Sequence, residues 1–148
     1  MTAPELTHAE IMALSPDELR LRVAIDIFGW GWLYDNYKFG DRPNGTNIFC
    51  APEHYWWRDK YPVGYVDGAI DFKYPTPNYP ADIAAAWLVV EKIVHNEGWE
   101  WFEFQVVPMQ FKTRYRANFT ANTEDECGAD TAPMAICRAA LLAAQKEQ

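Results

Sequence analysis

The first hydrophobic pattern along the chain is helical, and capping signals precede it. Ser15 and Glu18 flank Pro16 in a capping box, in which the hydroxyl and the carboxylate each accept a hydrogen bond from a backbone donor at the start of a helix. Thr7 and Glu10 have the same spacing upstream. The next apolar positions recur at helical intervals: Leu19, Val23, Ile27 and Phe28. We therefore predict a short helix after Thr7 and a longer one over residues 16–28, ended by Gly29.

Two more helices are predicted in the second half of the chain. Asp82 is the expected N-cap of "IAAAWLVVEKIVHNEG", a helix of about four turns ended by Gly98. The spacing predicts an inward stripe on this helix: Ile83, Trp87, Val90 and Val94. Thr131 is the expected N-cap of the last helix, "APMAICRAALLAAQ", which has Pro133 in its first turn.

Strands are predicted between these helices. Alternating aromatic residues in "WGWLYDNYKF" predict a strand from Trp30, and the turn-rich "GDRPNGTN" after it predicts a hairpin or a long loop. Two short strands are expected at 55–58 and 69–72, and a hairpin is expected through Pro108 and Met109, between "WEWFEFQVV" and "QFKTRYRANFTA". The acidic "NTEDECGAD" is expected to be a loop or the approach to a helix. The order of elements predicts an α+β fold, a layered helix/sheet/helix sandwich with a mainly antiparallel sheet.

Composition limits the classes of protein that fit. With 148 residues, 49% of them hydrophobic, we expect one domain over residues 1–148. The formal net charge of -8 argues against a general nucleic-acid binder, which needs positive potential to neutralise phosphates. No apolar run approaches the length of a membrane span, and the N-terminus lacks the pattern of a secretory leader.

Cysteine and histidine spacing gives no sign of a metal centre or a disulfide framework. The three cysteines, Cys50, Cys127 and Cys137, include no C-x-x-C pair and fit a reducing cytosol. The histidines lie far apart in the sequence, at His8, His54 and His95. We expect neither a metal nor a cofactor.

Three stretches resemble a known family. "ALSPDELRLRVAIDIFGW", "ADIAAAWLVVEKI" and "ADTAPMAICRAALLAA" are similar to the phage ABA sandwich domain family, small proteins of bacteriophages and prophages. The resemblance spans most of the chain and is weakest over residues 41–79. It implies a helix/sheet/helix sandwich and a phage setting, and it carries no catalytic motif.

The first candidate site is a predicted strand face. Lys112, Arg114 and Arg116 alternate, so they share one face with Asn118, while aromatic and small residues occupy the other. Arginine offers a fork of donors that matches phosphate oxygens, and such a face can hold a diphosphate or a cyclic nucleotide. The alternative is that the cations face solvent or pair across the hairpin with Glu100, Glu103 and Gln105.

The second candidate site is the aromatic middle of the chain. The segment "YWWRDK" places cations beside aromatic rings that can stack on a base, and its candidate ligand-binding residues are Tyr55, Trp56, Trp57, Arg58 and Lys60. The alternative is a core or a subunit interface, where such residues are also enriched. For the other tryptophans we predict core positions: Trp30, Trp32, Trp87, Trp99 and Trp101.

Catalysis has less support in the sequence. Asp67 and Asp71 could act as acid and base with His54 and Glu53, but their spacing is not diagnostic. The sequence contains no P-loop, nucleophile elbow or HExxH motif. Cys137 is best explained as buried packing on a helix. We therefore expect a binding protein rather than an enzyme, with no catalytic residue assigned.

The phage setting that the resemblance implies suggests a function. Small phage proteins of this kind often counter host defences, so we expect a homo-oligomer in the host cytoplasm that sequesters a nucleotide-derived immune signal without cleaving it. Two alternatives stay open. One is an acidic inhibitor of a host defence protein, and the other is an enzyme, such as a hydrolase, that degrades the same signal.

Overall fold

Both predicted capping boxes are present at the starts of helices. The computed structural model describes residues 5–35, 46–50, 76–96, 101–120 and 122–146. Helix α1 spans His8–Ala13 and helix α2 spans Pro16–Asp26, and at each start the cap hydroxyl and the glutamate exchange hydrogen bonds with the backbone. Gly29 has a φ of 74°, a conformation that glycine adopts without strain and that ends this helical segment.

The predicted strand after α2 forms a hairpin. Strand β1 spans Gly31–Asp35 and pairs antiparallel with strand β2, Thr46–Cys50. In the register, Gly31 lies opposite Cys50. The strands predicted at 55–58 and 69–72 lie outside the described residues.

The third helix starts where the sequence predicts. Helix α3 spans Ile83–Glu91, and the Asp82 carboxylate accepts a hydrogen bond of 3.0 Å from the Ala84 N–H. The helix continues as a π-helical turn, Lys92–Asn96. The predicted end at Gly98 lies outside the described residues.

The predicted inward stripe of α3 is wrong at two positions. The side chains of Ile83 and Trp87 are 54% and 51% exposed, whereas the buried face of the helix and its π-helical turn consists of Ala85, Ala86, Val89, Val90 and Ile93. Helix α3 packs against the last helix of the chain, and its two buried alanines allow a close approach. The larger side chains are therefore left outside this contact.

The predicted core positions of the tryptophans are right for one described side chain and wrong for two. Trp30 is half-buried and packs against the core, as predicted. Trp87 and Trp101 are instead about half exposed, at 51% and 46%, so the prediction of core positions is wrong for both. The Trp87 ring meets Phe102 edge to face at 6.2 Å, and this contact covers only part of it.

A three-stranded antiparallel sheet carries the first candidate site. Strand β3 spans Glu103–Pro108, strand β4 spans Thr113–Asn118 and strand β5 spans Cys127–Ala129, in the order β3-β4-β5. The predicted hairpin is present, but it turns after Pro108, which pairs with Thr113. A 3₁₀ turn, Thr123–Asp125, precedes β5, a strand that the sequence analysis did not predict.

The last helix is the centre of the core. Helix α4 spans Ala132–Lys146 and contacts α1, α2, α3, β4 and β5. Alanines make up much of its buried surface: Ala135, Ala139, Ala140 and Ala143. The fold is α+β, as the sequence predicts. That residues 1–148 form one domain stays a prediction.

Within the described ranges, no helix is both long and apolar enough to cross a membrane.

Candidate functional site

The three alternating cations, Lys112 just before β4 and Arg114 and Arg116 within it, lie at the protein surface. The side chains of Lys112, Arg114 and Arg116 are 57%, 36% and 45% exposed. Tyr115 and Ala117, which alternate with them, pack with the hydrophobic core. The predicted division into a cationic face and an apolar face is therefore present from Arg114 to Ala117, but it is wrong for Asn118, which is buried, and for Phe111, which is 91% exposed.

Carboxylates from the two ends of β5 pair with these cations. Asp130 Oδ1 lies 3.3 Å from Arg114 Nη1 and 3.5 Å from Lys112 Nζ. Glu126 Oε1 lies 3.6 Å from Arg116 Nε. Both carboxylates belong to the acidic link, on the opposite side of β4 from β3.

The partners expected across the hairpin do not make these ion pairs. Arg116 lies opposite Gln105 in the register and Arg114 lies opposite Val107. Glu103 accepts a hydrogen bond of 2.8 Å from the Gln105 side-chain amide, and Glu100 lies outside the described residues.

A fourth cation, Arg138 of α4, contacts β5 and was not among the predicted site residues. Its Nη1 donates to the Gly128 carbonyl at 2.8 Å, and its Nη2 donates to the Met12 carbonyl at 3.3 Å. Among the residues that the structure describes, its buried Nε has no hydrogen-bond partner. Burial lowers the pKa of Arg138, and the neighbouring Arg114 cation lowers it further.

Gly128 lies between the two arginines. A Cβ built on Gly128 would lie 3.2 Å from Nε and 3.2 Å from Nη2 of Arg114. The guanidinium of Arg114 therefore lies directly over the backbone of β5, while Arg138 is bonded to the carbonyl of the same residue. We call Lys112, Arg114, Arg116 and Arg138 the cationic cluster.

The cationic cluster has an excess of positive charge. Lys112, Arg114 and Arg116 pair with the carboxylates of Asp130 and Glu126, whereas Arg138 bonds to backbone carbonyls. The four cations and these two carboxylates together carry a net charge of +2, in a chain whose formal net charge is -8. An exposed group of guanidinium and ammonium donors with an excess charge is suited to binding an anion.

Asn118, the fourth residue of the predicted cationic face, is buried and serves the turn after β4. Its Nδ2 donates to the Asn122 carbonyl at 2.9 Å, and its Oδ1 accepts from the Thr120 N–H at 2.8 Å. Thr120 Oγ1 in turn donates to Asp125 Oδ2 at 2.8 Å. This network holds the connection between β4 and β5 and thereby positions the strand that carries the two carboxylates.

The second candidate site lies outside the described residues: Tyr55, Trp56, Trp57, Arg58 and Lys60. The same holds for the acid/base candidates His54, Glu53, Asp67 and Asp71. In the described part of the chain, no group of three or more His, Cys, Asp or Glu side chains is arranged to hold a metal ion.

The comparison with protein families agrees with the fold. The sequence model of the phage ABA sandwich domain matches residues 22–141. The chain belongs to this family. The resemblance found in the sequence is thereby confirmed, together with the association with bacteriophages. The matched range of the ABA sandwich domain includes the whole cationic cluster.

A solved structure is also similar to this phage ABA sandwich protein. It is a phage protein from Bacillus cereus ATCC 14579, solved at 2.0 Å, with 24% sequence identity and a TM-score of 0.42. The match covers 87% of this chain and 91% of that one. No curated protein is similar enough to count as a match.

Two cysteines of the ABA sandwich domain are buried. Cys127 lies in β5, next to the candidate site, and Cys137 lies in α4, in the core. Burial raises the pKa of Cys127 to about 12, with Asp125 and Glu126 acting in the same direction and Arg138 opposing them. Burial also raises the pKa of the Cys137 thiol. Both thiols are protonated at neutral pH, and a thiol in that state is a poor nucleophile.

The rate of alkylation measures how strongly burial and the raised pKa protect these two thiols. In native protein at pH 7.5, we expect iodoacetamide to modify Cys127 at least about a thousandfold more slowly than an exposed cysteine, because a pKa near 12 leaves few thiolates and burial restricts access. Cys137 should be protected similarly. Peptide mass spectrometry distinguishes the cysteines, and the same reaction in denaturant is the control. Rapid native labelling of Cys127 would contradict its burial.

Proposed function

We propose that this phage protein captures a small nucleotide-derived immune signal of the host and holds it without cleaving it. The cationic cluster binds the phosphate groups of the ligand. Capture lowers the free concentration of the signal in the host cytoplasm, so the required chemistry is tight binding and slow release alone. Aromatic stacking on the base is assigned to Tyr55, Trp56 and Trp57, beside Arg58 and Lys60, which stays a prediction from the sequence.

The observation that supports this proposal is the excess of cations over carboxylates around β5. Arg114 and Arg116 are partly exposed and their carboxylate partners are 3.3 Å and 3.6 Å away, so an incoming phosphate can compete for the guanidinium donors. Exposed ion pairs of this kind contribute only about 0 to 1 kcal/mol each, so little free energy is lost when they exchange.

A panel of cyclic and linear nucleotides tests the proposal. Purified protein is incubated with each nucleotide and analysed by native mass spectrometry, and the supernatant after heat denaturation is analysed by chromatography. Bound ligand that is released intact supports capture, whereas a cleaved product identifies an enzyme. A panel that is neither bound nor cleaved overturns the proposal and favours the acidic inhibitor of a host defence protein, which copurification with that protein would identify.

The Asp130→Asn substitution should strengthen anion binding. The Asp130 carboxylate forms ion pairs with both Lys112 and Arg114. Removing its charge leaves these two cations without that partner and makes the local net charge more positive. We expect affinity for inorganic pyrophosphate, measured by calorimetry at low salt, to rise by about threefold, the size expected from one exposed ion pair.

Glu91→Gln is the matched control for this substitution, because it makes the same change of net charge at an exposed position at the end of α3. It should leave pyrophosphate affinity nearly unchanged. Equal gains in the two variants would mean that only the overall charge matters, which would count against a specific role for the cationic cluster.

The proposal also includes the formation of a homo-oligomer by this chain. Three large apolar side chains on α3 are about half exposed: Ile83, Trp87 and Leu88. Aromatic and aliphatic groups of this kind are enriched in interfaces between subunits. Native mass spectrometry of the free protein gives the oligomeric state, and a Trp87→Lys variant that leaves that state unchanged would exclude this face as the interface.

A further inference from the structure

A cavity lies between the start of α1, the 3₁₀ turn and the end of α4. Its volume is about 340 Å³, which is enough for a small organic molecule. None of its wall residues belongs to the cationic cluster.

The walls of the cavity combine apolar and acidic surface. Leu6 and Leu142 supply aliphatic contacts, and Glu5, Glu124 and Asp125 supply three carboxylates. Asp125 is buried and is held by the hydrogen bond from Thr120, whereas Glu5 and Glu124 are exposed. His8 is also part of the wall, and its Nε2 donates to the Glu126 carbonyl at 3.1 Å. The cavity therefore favours a cation with an aliphatic part.

The wall also contains Gln145, whose side-chain amide includes a hydrogen-bond donor without an acceptor among the described residues, and this donor places a second requirement on the ligand. Gln145 is only 6% exposed, and its side-chain oxygen accepts a hydrogen bond from the Leu6 N–H. Its Nε2 is buried and has no hydrogen-bond partner in the described part of the chain. An amide donor left without an acceptor costs about 1 to 3 kcal/mol, and a ligand that carries an acceptor recovers part of this cost.

We propose that this cavity binds a small organic cation that also carries a carbonyl oxygen. The cation lies against Glu5 and Glu124, the aliphatic part lies against Leu142, and the carbonyl accepts a hydrogen bond from Gln145 Nε2 after a small rotation of that amide. The carboxylates alone would attract any cation. The donor of Gln145 makes the site selective for cations with an acceptor.

Three soluble compounds separate these contributions. Nα-acetylarginine amide carries a guanidinium and carbonyl oxygens, butylguanidinium lacks the carbonyl, and Nα-acetylcitrulline amide lacks the charge. Titration of the full chain, followed by NMR of the backbone amides, should give a dissociation constant of about 1 mM or less for the first compound, a limit set by its size. The other two should bind at least about threefold more weakly.

Two variants test the assigned residues. Glu124→Gln should weaken binding of Nα-acetylarginine amide by about threefold, while Glu91→Gln, which changes the charge elsewhere, should not. Gln145→Met should abolish the preference for Nα-acetylarginine amide over butylguanidinium. This preference is a ratio between two ligands measured on one folded protein, so a general loss of stability in the variant does not mimic the result.

Three results would overturn the proposal. The first is no binding of Nα-acetylarginine amide at ten times the expected dissociation constant. The second is equal binding of the charged compound and its citrulline analogue. The third is equal weakening by Glu124→Gln and Glu91→Gln, which would assign the binding to the overall negative charge of the chain.

Discussion

The double substitution Arg114→Ala/Arg116→Ala is expected to weaken binding of the captured nucleotide by roughly a hundredfold or more. Each guanidinium can donate two parallel hydrogen bonds to a phosphate, and a hydrogen bond to a charged group contributes about 1.5 to 3 kcal/mol. The two contributions need not add fully, because both arginines would contact the same ligand. Calorimetry with the nucleotide selected from the panel measures the loss.

The matched control is Arg114→Lys/Arg116→Lys, which keeps both charges and removes the planar fork of donors. It should bind with an affinity between those of the native chain and the alanine variant. Because the ion pairs with Asp130 and Glu126 are exposed, both variants should unfold at nearly the native temperature. Unchanged affinity in a folded alanine variant would remove the cationic cluster from the site, even if the nucleotide is captured elsewhere on the chain.

The largest expected effect on stability is that of Phe119→Ala. The Phe119 side chain is 1% exposed, and its ring lies against that of Phe102, with the two centroids 4.7 Å apart. Removing a buried phenylalanine ring costs about 3 to 5 kcal/mol, since apolar contacts are lost and a cavity is left. In a chain of this size, that corresponds to a fall in Tm of roughly 10 °C.

Phe111→Ala makes the same chemical change at the tip of the hairpin, where the side chain is 91% exposed. Its effect on the free energy of unfolding should stay within about 0.5 kcal/mol, as for most surface substitutions. Chemical denaturation of the two variants compares them directly. Similar losses of stability from both substitutions would contradict the burial of Phe119.

Local signals in the sequence predicted the starts of the helices well. A capping box depends on two residues three positions apart, so Ser15 and Glu18 are sufficient to locate the start of α2. The N-cap at Asp82 and the positive φ at Gly29 are local in the same sense. Strand β5 has only three residues in an acidic link, and its formation depends on pairing with β4, which no local pattern shows.

The inward face of α3 could not be read from its periodicity. Almost every position from Ile83 to Val90 is apolar, so no polar face fixes the rotation of the helix. Packing against α4 decides it, and both helices carry buried alanines. The large residues Trp87 and Leu88 consequently face outward, which hydrophobicity alone does not predict.

The sequence predicted one part of the candidate site, the alternating cations, and missed another, Arg138. Alternation from Lys112 to Arg116 was sufficient to place three cations on one face. Arg138 lies on a helix that is distant in sequence, and it reaches Gly128 only because the chain turns back over β5 into α4. The available signal in the sequence was an arginine amid the apolar residues of a helix predicted to pack inward, since a charged side chain in such a place needs polar partners.

The central position of α4 has a consequence for synthesis in the cell. Helices α1, α2 and α3 and strand β4 all pack on α4, yet each of them leaves the ribosome before it. Their apolar faces stay uncovered until residues 132–146 emerge, so contacts between distant parts of the chain form last. Such a nascent chain is prone to aggregate and is a natural client for chaperones during translation.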